Sequence, residues 1–269
     1  MIWLQYLIPQ HLLSKLMFGF TRIENRYIKN SFISWFVKSY KVDLSEAVID
    51  NPKDYKNFNE FFTRKLKPNS RIIEDSKIIC PVDGVVSQIG CIRDSKIIQA
   101  KGHLFTVSKL LAGDSRSVDY KNGFFATVYL SPKDYHRIHI PYDGILISMS
   151  YIPGDLFSVN NKTTRKVDGL FARNERVVCY FETEFGLCAL ILVGAIFVGS
   201  MQTVWDGQIT PPYGKKVRTQ DYKERHIEFK KGDEIARFNM GSTVIMLMPN
   251  NNKLNINESQ KVKMGQSIY

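Results

Sequence analysis

From about residue 72 the chain alternates short β-rich runs with Gly, Pro, Asn or Asp, and this punctuation constrains its fold most. The runs include IICPVDGVVSQIG, GFFATVYL, GILISMSYI, RVVCYFETEFG, LCALILVGAIFVGS and STVIMLMP. β-Branched and aromatic side chains suit a pleated, buried surface, and the punctuating residues supply the turns between strands. No repeat of fixed period stands out. Residues 52–68 predict a short helix closing at Pro68. Residues 213–231 are polar and carry both charge signs, which predicts a surface excursion.

The first 41 residues have a different texture. Apolar residues recur at near-helical spacing from Leu12 to Phe36, through Leu13, Leu16, Met17, Phe20, Ile23, Tyr27, Phe32 and Trp35. Six basic residues (Lys15, Arg22, Arg26, Lys29, Lys38, Lys41) face one acid, Glu24, a net charge of +5. An apolar face with aromatic residues and a basic polar face suits a membrane interface. A pair of ordinary helices packed on the core would give the same spacing, and the two readings are compatible. The segment lacks the basic leader and small-residue cleavage site of a secretory signal. Pro9, His11 and Lys15 interrupt the roughly 20 apolar residues that a spanning helix needs. The expected fold class is therefore α+β: a mainly β core with an N-terminal amphipathic helical layer. We expect residues 1–50 to form the membrane-associating helical region and residues 51–269 the core.

Composition excludes a few classes. Hydrophobic residues make up 44% and charged residues 23%, as in globular rather than disordered chains. The formal charge of +11 favours an anionic partner: nucleic acid, an acidic lipid surface or a phosphorylated substrate. No RNP-like or Gly-clamped motif accompanies it, so no nucleic-acid partner is expected. Cys80, Cys91, Cys179 and Cys188 form no C-x-x-C pair, which argues against a zinc knuckle or dithiol site.

Four positions carry candidate chemistry. Gly241-Ser242 stands immediately before a β-branched, apolar run. A loop entering a strand explains it; so does a serine attacking its own preceding carbonyl, which a glycine without Cβ would ease. His136 and His139 fall together in SPKDYHRIHIP (131–141), where Ser131-Pro132 predicts one short turn and RIHIP a strand. Either histidine could be a buried ring bonded to backbone, or a base. H-x-x-H without an acid at zincin spacing is a weak metal motif, and no metal is expected. Asp83, in PVDG, fits a hairpin turn or an acid orienting a histidine.

Several blocks occur in order: FNEFFTRKLKP (58–68), PVDG (81–84), KGHLFTVSKLL (101–111), YLSPKDYHRIHIP (129–141), YIPGDLFSVN (151–160) and LFARNERV (170–177). GAIFVGSMQTVWDG (194–207) and FNMGSTVIML (238–247) follow. Together they resemble the bacterial phosphatidylserine decarboxylases over about residues 55–265, with the N-terminal region resembling them more loosely. Met240 departs from the Leu usual before the family's Gly-Ser-Thr, a change of similar volume.

The resemblance implies a proenzyme, or zymogen, that cuts itself between Gly241 and Ser242. Asp83, His139 and Ser242 match the family's self-cleavage triad, and Ser242 would become a pyruvoyl (covalent pyruvate) cofactor. That group would form a Schiff base with the substrate amine, and His136 matches the histidine of the decarboxylation step. Ser158 and Val159 are expected to line the substrate site. The implied reaction converts phosphatidylserine in an anionic membrane to phosphatidylethanolamine, a step of phospholipid biosynthesis. A β chain (1–241) and an α chain (242–269) would stay together as a heterodimer, with room for a dimer of heterodimers. The implied location is the cytoplasmic side of the cell membrane, held peripherally. A pyruvoyl enzyme for a soluble amino acid, an uncut lipid-binding module and a basic RNA-binding protein are the rival classes.

Overall fold

The computed structural model describes residues 4–100, 103–197, 200–249 and 254–269. Positions 1–3 of the N-terminal segment, 101–102 of KGHLFTVSKLL and 198–199 of GAIFVGSMQTVWDG lie outside the described residues. The strands are β1 (Gly84–Cys91), β2 (Lys96–Ala100), β3 (His103–Thr106), β4 (Phe124–Leu130), β5 (Arg137–His139), β6 (Gly144–Ile152) and β7 (Arg176–Thr183). There follow β8 (Gly186–Val193), β9 (Met201–Thr203), β10 (Gly207–Gln208), β11 (Arg218–Asp221) and β12 (Glu228–Phe229). β13 (Glu234–Phe238), β14 (Ser242–Met248) and β15 (Lys261–Val262) complete the chain.

Nine strands form one antiparallel sheet in the order β11-β6-β7-β8-β14-β4-β1-β15, with β12 also on β6. A second sheet runs β10-β9-β13-β5, and β2 pairs with β3. The fold is α+β with a mainly β core, as the punctuated runs predict. In β14 all seven residues are buried, and in β8 the last six. Strands covered on both faces read as continuous apolar runs rather than alternating ones. Neighbouring residues of β7 show the two coverings, because successive side chains point to opposite faces. Tyr180 meets Asp114 and lies under the Arg116 guanidinium, whereas Phe181 meets Trp205.

The N-terminal layer contains α1 (Leu4–Leu7), α2 (Gln10–Phe20), α3 (Arg26–Tyr40) and α4 (Phe58–Phe62). Asn25 separates α2 from α3 by capping the latter, its side chain accepting from the Tyr27 and Ile28 amides at 3.0 and 3.3 Å. Ile33 and Phe36 of α3 pack with Phe58, Phe61 and Phe62 of α4 in a second hydrophobic cluster. That cluster extends to Phe62, so its packing runs across residue 50. Met240 touches both clusters, which puts the Gly241–Ser242 bond at their junction. Asn59 ties the layers together: its amide donates to Thr21 O (2.9 Å) and its side chain to Asn239 O (3.2 Å).

Two local expectations gain detail. The helix within 52–68 is only five residues long, because the chain beyond it bonds to an earlier segment instead. Val48 N donates to Lys65 O and Lys67 N to Glu46 O, and an extended pairing of that kind cannot continue a helix. The polar stretch 213–231 lies on the surface as expected, and there it supplies β11 and β12 at the edge of the large sheet. Its charged residues blunt that edge, while Tyr222 inserts fully into the core.

Glu175 is a buried acid outside any expected role. Tyr151 donates its hydroxyl to Oε2 at 2.9 Å, and Oε1 has no partner among the described residues. Burial pushes the carboxyl up to about 7, from an ordinary 4.5. The folded state therefore holds a proton there that the unfolded chain releases above about 4.5. The associated stability is full below that pH and is lost as pH rises through about 7, a swing of about 3 kcal/mol. Glu175→Gln should remove most of this slope in urea unfolding between pH 4.5 and 8, measured in an uncut Ser242→Ala chain. An unchanged slope would mean that the carboxyl is already ionised in the folded protein.

Candidate active site

Ser242 opens β14, opposite Leu130 of β4, and the next residue, Thr243, lies between Tyr129 of β4 and Val193 of β8. The strong β preference of STVIMLM draws the serine into the centre of the sheet rather than leaving it in a loop. Its side chain is fully buried, and Oγ has no hydrogen-bond partner among the described residues. A buried hydroxyl left so costs about 1–3 kcal/mol, and the neighbouring Thr243 Oγ1 shares this state among the described residues.

The chain leaves β4 through a tight turn in which the Ser131 amide and hydroxyl both donate to Asp134 Oδ2 at 2.7 Å. This turn delivers His136 to Gly241. A Cβ on Gly241 would sit 3.4 Å from His136 Nε2 and 3.5 Å from Leu130 O, ordinary contact distances that place the ring directly beside this glycine. His136 donates from Nδ1 to Asp134 O at 2.8 Å, leaving the Nε2 lone pair buried and unpartnered among the described residues. The ring packs on Phe62, 4.2 Å between centroids. Burial first, then the Arg64 guanidinium, lower its pKa to about 3, so it is a neutral imidazole. Arg64 donates to Lys133 O (2.7 Å) and Asp134 O (3.3 Å), gripping the same turn.

His139, in β5, is engaged at both nitrogens. Nδ1 donates to Gly232 O at 2.7 Å, and Nε2 accepts from the Tyr135 hydroxyl at 3.1 Å. Burial lowers its pKa, opposed by the Gly232 bond and by nearby acids including Asp83. Asp83 precedes β1 instead of sitting in a hairpin turn. Both its oxygens are taken by Arg71, and Oδ1 also accepts from the Met264 amide at 2.8 Å. The Asp83 segment does reach His139 through backbone, since His139 N donates to Pro81 O at 2.9 Å. Asp83 and His139 are thus neighbours without a hydrogen bond between their side chains, and none joins His139 to Ser242. It is the free nitrogen of His136 that faces Gly241.

A cavity of about 170 Å³ opens beside the Gly241 backbone. Met240, Tyr40, Phe197, Ser158 and Val159 are among its walls, so both expected substrate-site residues border it. The walls are mainly apolar, with Phe36 and Tyr40 contributed by the N-terminal layer. A larger cleft of about 390 Å³ lies by Arg64, Arg137 and Arg237 and does not reach Gly241. Among the described residues no three His, Cys, Asp or Glu side chains converge as a metal site. Arg64, Arg71, Phe62 and Tyr135 were not singled out as site residues from the sequence. Phe62, Arg64 and Tyr135 lie in motif blocks, but Arg71 meets Asp83 only through the fold.

Known proteins match most of this chain. The family described as "Phosphatidylserine decarboxylase" matches residues 58–269, and a second, described as "PSD", matches residues 1–41. A phosphatidylserine decarboxylase proenzyme of Methylococcus capsulatus is 49% identical over 271 residues, covering 98% of this chain and 94% of its own. Those of Shewanella amazonensis and Saccharophagus degradans are 52% and 48% identical, covering 91% and 99% of this chain and 88% and 96% of their own. With the family match spanning most of the sequence and such relatives covering nearly all of it, this chain belongs to the phosphatidylserine decarboxylase family.

Proposed function

We propose that this protein decarboxylates phosphatidylserine to phosphatidylethanolamine, using a pyruvoyl group made from Ser242 when the chain cuts itself at Gly241–Ser242. The observation that carries this reading is the buried, unpartnered Ser242 Oγ beginning a core strand, with a neutral imidazole against Gly241 and a cavity alongside. A pyruvoyl group fits there: Ser242 Oγ and His136 Nε2 have no partner among the described residues, and the cavity reaches the Gly241 backbone.

In self-cleavage, Ser242 Oγ attacks the Gly241 carbonyl carbon, the amide C–N bond breaks and an ester forms. Loss of the residue 242 α proton then breaks the Cβ–O bond, freeing the Gly241 carboxylate. Hydrolysis of the resulting dehydroalanine, by way of its imine tautomer, consumes water and releases ammonia. We assign His139 as the base for Ser242, with Asp83 stabilising its imidazolium. In that role His139 Nε2 exchanges its Tyr135 partner for Ser242. A second reading gives the proton to His136, and the specific observation favouring it is the free Nε2 lone pair facing Gly241.

A pyruvoyl group at position 242, held at the start of β14 beside Gly241 and His136, would supply a carbonyl to take up the substrate amine and an electron sink for the loss of carbon dioxide. The substrate ammonium would lose its proton to solvent as the lipid amine enters the site. His136 Nε2 is placed to relay a proton to the α carbon after decarboxylation, and burial disfavours the imidazolium, so a proton it gains is readily given up. The lipid substrate would be taken from an anionic membrane, on which the basic N-terminal layer sits peripherally, facing the cytoplasm. The α chain (242–269) stays with the β chain (1–241) because its first seven residues are β14, in the centre of the large sheet.

Intact-mass analysis under denaturing conditions, followed by turnover of phosphatidylserine vesicles, tests this reading. Two fragments are expected, the smaller lighter by ammonia than a Ser-initiated 242–269 peptide, with ethanolamine lipid appearing. A single species near 31.0 kDa would instead leave an uncut lipid-binding chain.

A further inference from the structure

Helix α2 is inside out. Amphipathic helices of water-soluble domains bury their apolar face. Here Gln10 and Ser14, one turn apart, are the residues of α2 that are buried. Leu12, Leu16 and Phe20, on the opposite side, are 55%, 62% and 38% exposed. The buried polar side chains have definite partners. Gln10 Oε1 accepts from the Leu156 amide at 2.5 Å, and Ser14 Oγ from the Phe197 amide at 3.1 Å. Gln5 of α1 does the same for the Ser158 amide at 2.8 Å, while Gln10 Nε2 reaches back to Gln5 O. Tyr6 packs edge-on against Phe157 at 4.8 Å. Ser158 and Phe197 belong to two different loops, and both are walls of the cavity beside Gly241.

We propose that Gln5, Gln10 and Ser14 are positioning residues, by which a lipid bilayer seated on the outer face of α2 sets the two loops that enclose the substrate cavity. The occupant of that outer face is an anionic bilayer rather than a protein. Phe20 packs on Phe32, which stacks on the exposed Trp35 of α3, so aromatic side chains continue from exposed Leu12 and Leu16 within a segment of net charge +5. Leucines and aromatics with basic neighbours match the headgroup–acyl boundary of an acidic leaflet. Lipid fixes the helices, and their inward side chains fix three loop amides, so the cavity is shaped where substrate is present. This rests on the decarboxylase reading for what the cavity binds, but the coupling has its own readout.

Amide hydrogen exchange of the purified, self-processed protein is the test, with and without vesicles of anionic phosphatidylglycerol. In the parent, vesicles should slow exchange at the Leu156, Ser158 and Phe197 amides. The Gln10→Ala/Ser14→Ala variant should still cut itself and bind vesicles. It should exchange about tenfold faster at Leu156 and Phe197, the weight of one net hydrogen bond each, and lose the vesicle effect. Its KM for vesicle phosphatidylserine should rise more than kcat falls, and restoring the Ser14 acceptor as Ser14→Thr should recover protection at Phe197. Exchange in the parent that ignores vesicles, or a double variant that keeps the vesicle effect, overturns the coupling. So does a stable dimer already protected at these amides without lipid, which would make a second copy the occupant. A parent that responds to vesicles but neither cuts itself nor consumes phosphatidylserine would sink the enzymatic reading and leave the coupling standing.

Discussion

A Ser242→Ala chain is expected to run as one species near 31.0 kDa under denaturing conditions, where the parent gives two fragments. Alanine removes the only atom that can attack the Gly241 carbonyl from within residue 242, so cutting should fall below detection rather than merely slow. Decarboxylation should vanish with it, because no carbonyl is made. The same substitution should not weaken the fold. Ser242 Oγ makes no hydrogen bond among the described residues, and a buried hydroxyl without a partner is a cost to the folded state. The uncut variant should therefore match an uncut parent in urea, or exceed it by about 1 kcal/mol. This combination separates a chemical role from a structural one: a structural serine would lose stability on truncation. Normal cutting in Ser242→Ala would end the assignment of this bond.

The second large effect divides the two histidines. His139→Ala should leave the chain uncut, whereas His136→Ala should cut substantially and then turn over phosphatidylserine about 10²–10⁴-fold more slowly, the usual weight of a general acid–base group. The geometry makes the experiment decisive, because His136 Nε2 is free beside Gly241 while both nitrogens of His139 are engaged. If His136→Ala stays uncut and His139→Ala cuts, His136 is the base for Ser242 and His139 a bracket between Tyr135 and Gly232. Near-normal turnover in a cut His136→Ala protein would remove that residue from the reaction. The ring packs on Phe62, so folding of each variant should be checked by near-UV circular dichroism before rates are compared.

Much of the architecture was legible in the one-dimensional pattern. Strands such as STVIMLM and LCALILV are buried on both faces, so burial itself writes their continuous apolar runs. The Ser131–Asp134 turn was legible for a similar reason, since its bonds close within four residues. Less legible was any segment whose hydrogen bonds leave the neighbourhood. The helix before Pro68 stops at Phe62 because residues 65 and 67 bond to residues 46 and 48. The polar run 213–231 supplies edge strands because β6 offers it an open edge, which local composition does not show.

The candidate site divides along the same line. Gly241-Ser242 before a core strand, and two histidines three residues apart, are local features that the sequence by itself determines, together with the basic, aromatic N-terminus. Which histidine faces Gly241, that Arg71 occupies Asp83, and that Arg64 and burial keep His136 neutral were decided by tertiary contacts. The orientation of α2 was decided there too. Helical spacing tells only that apolar residues share a side. Whether that side meets core or lipid depends on what the opposite side can bond to, and here loop amides from residues 156 and 197 claim its polar face. A periodicity is set by neighbours in the chain, whereas its direction is set by partners that only the folded chain brings near.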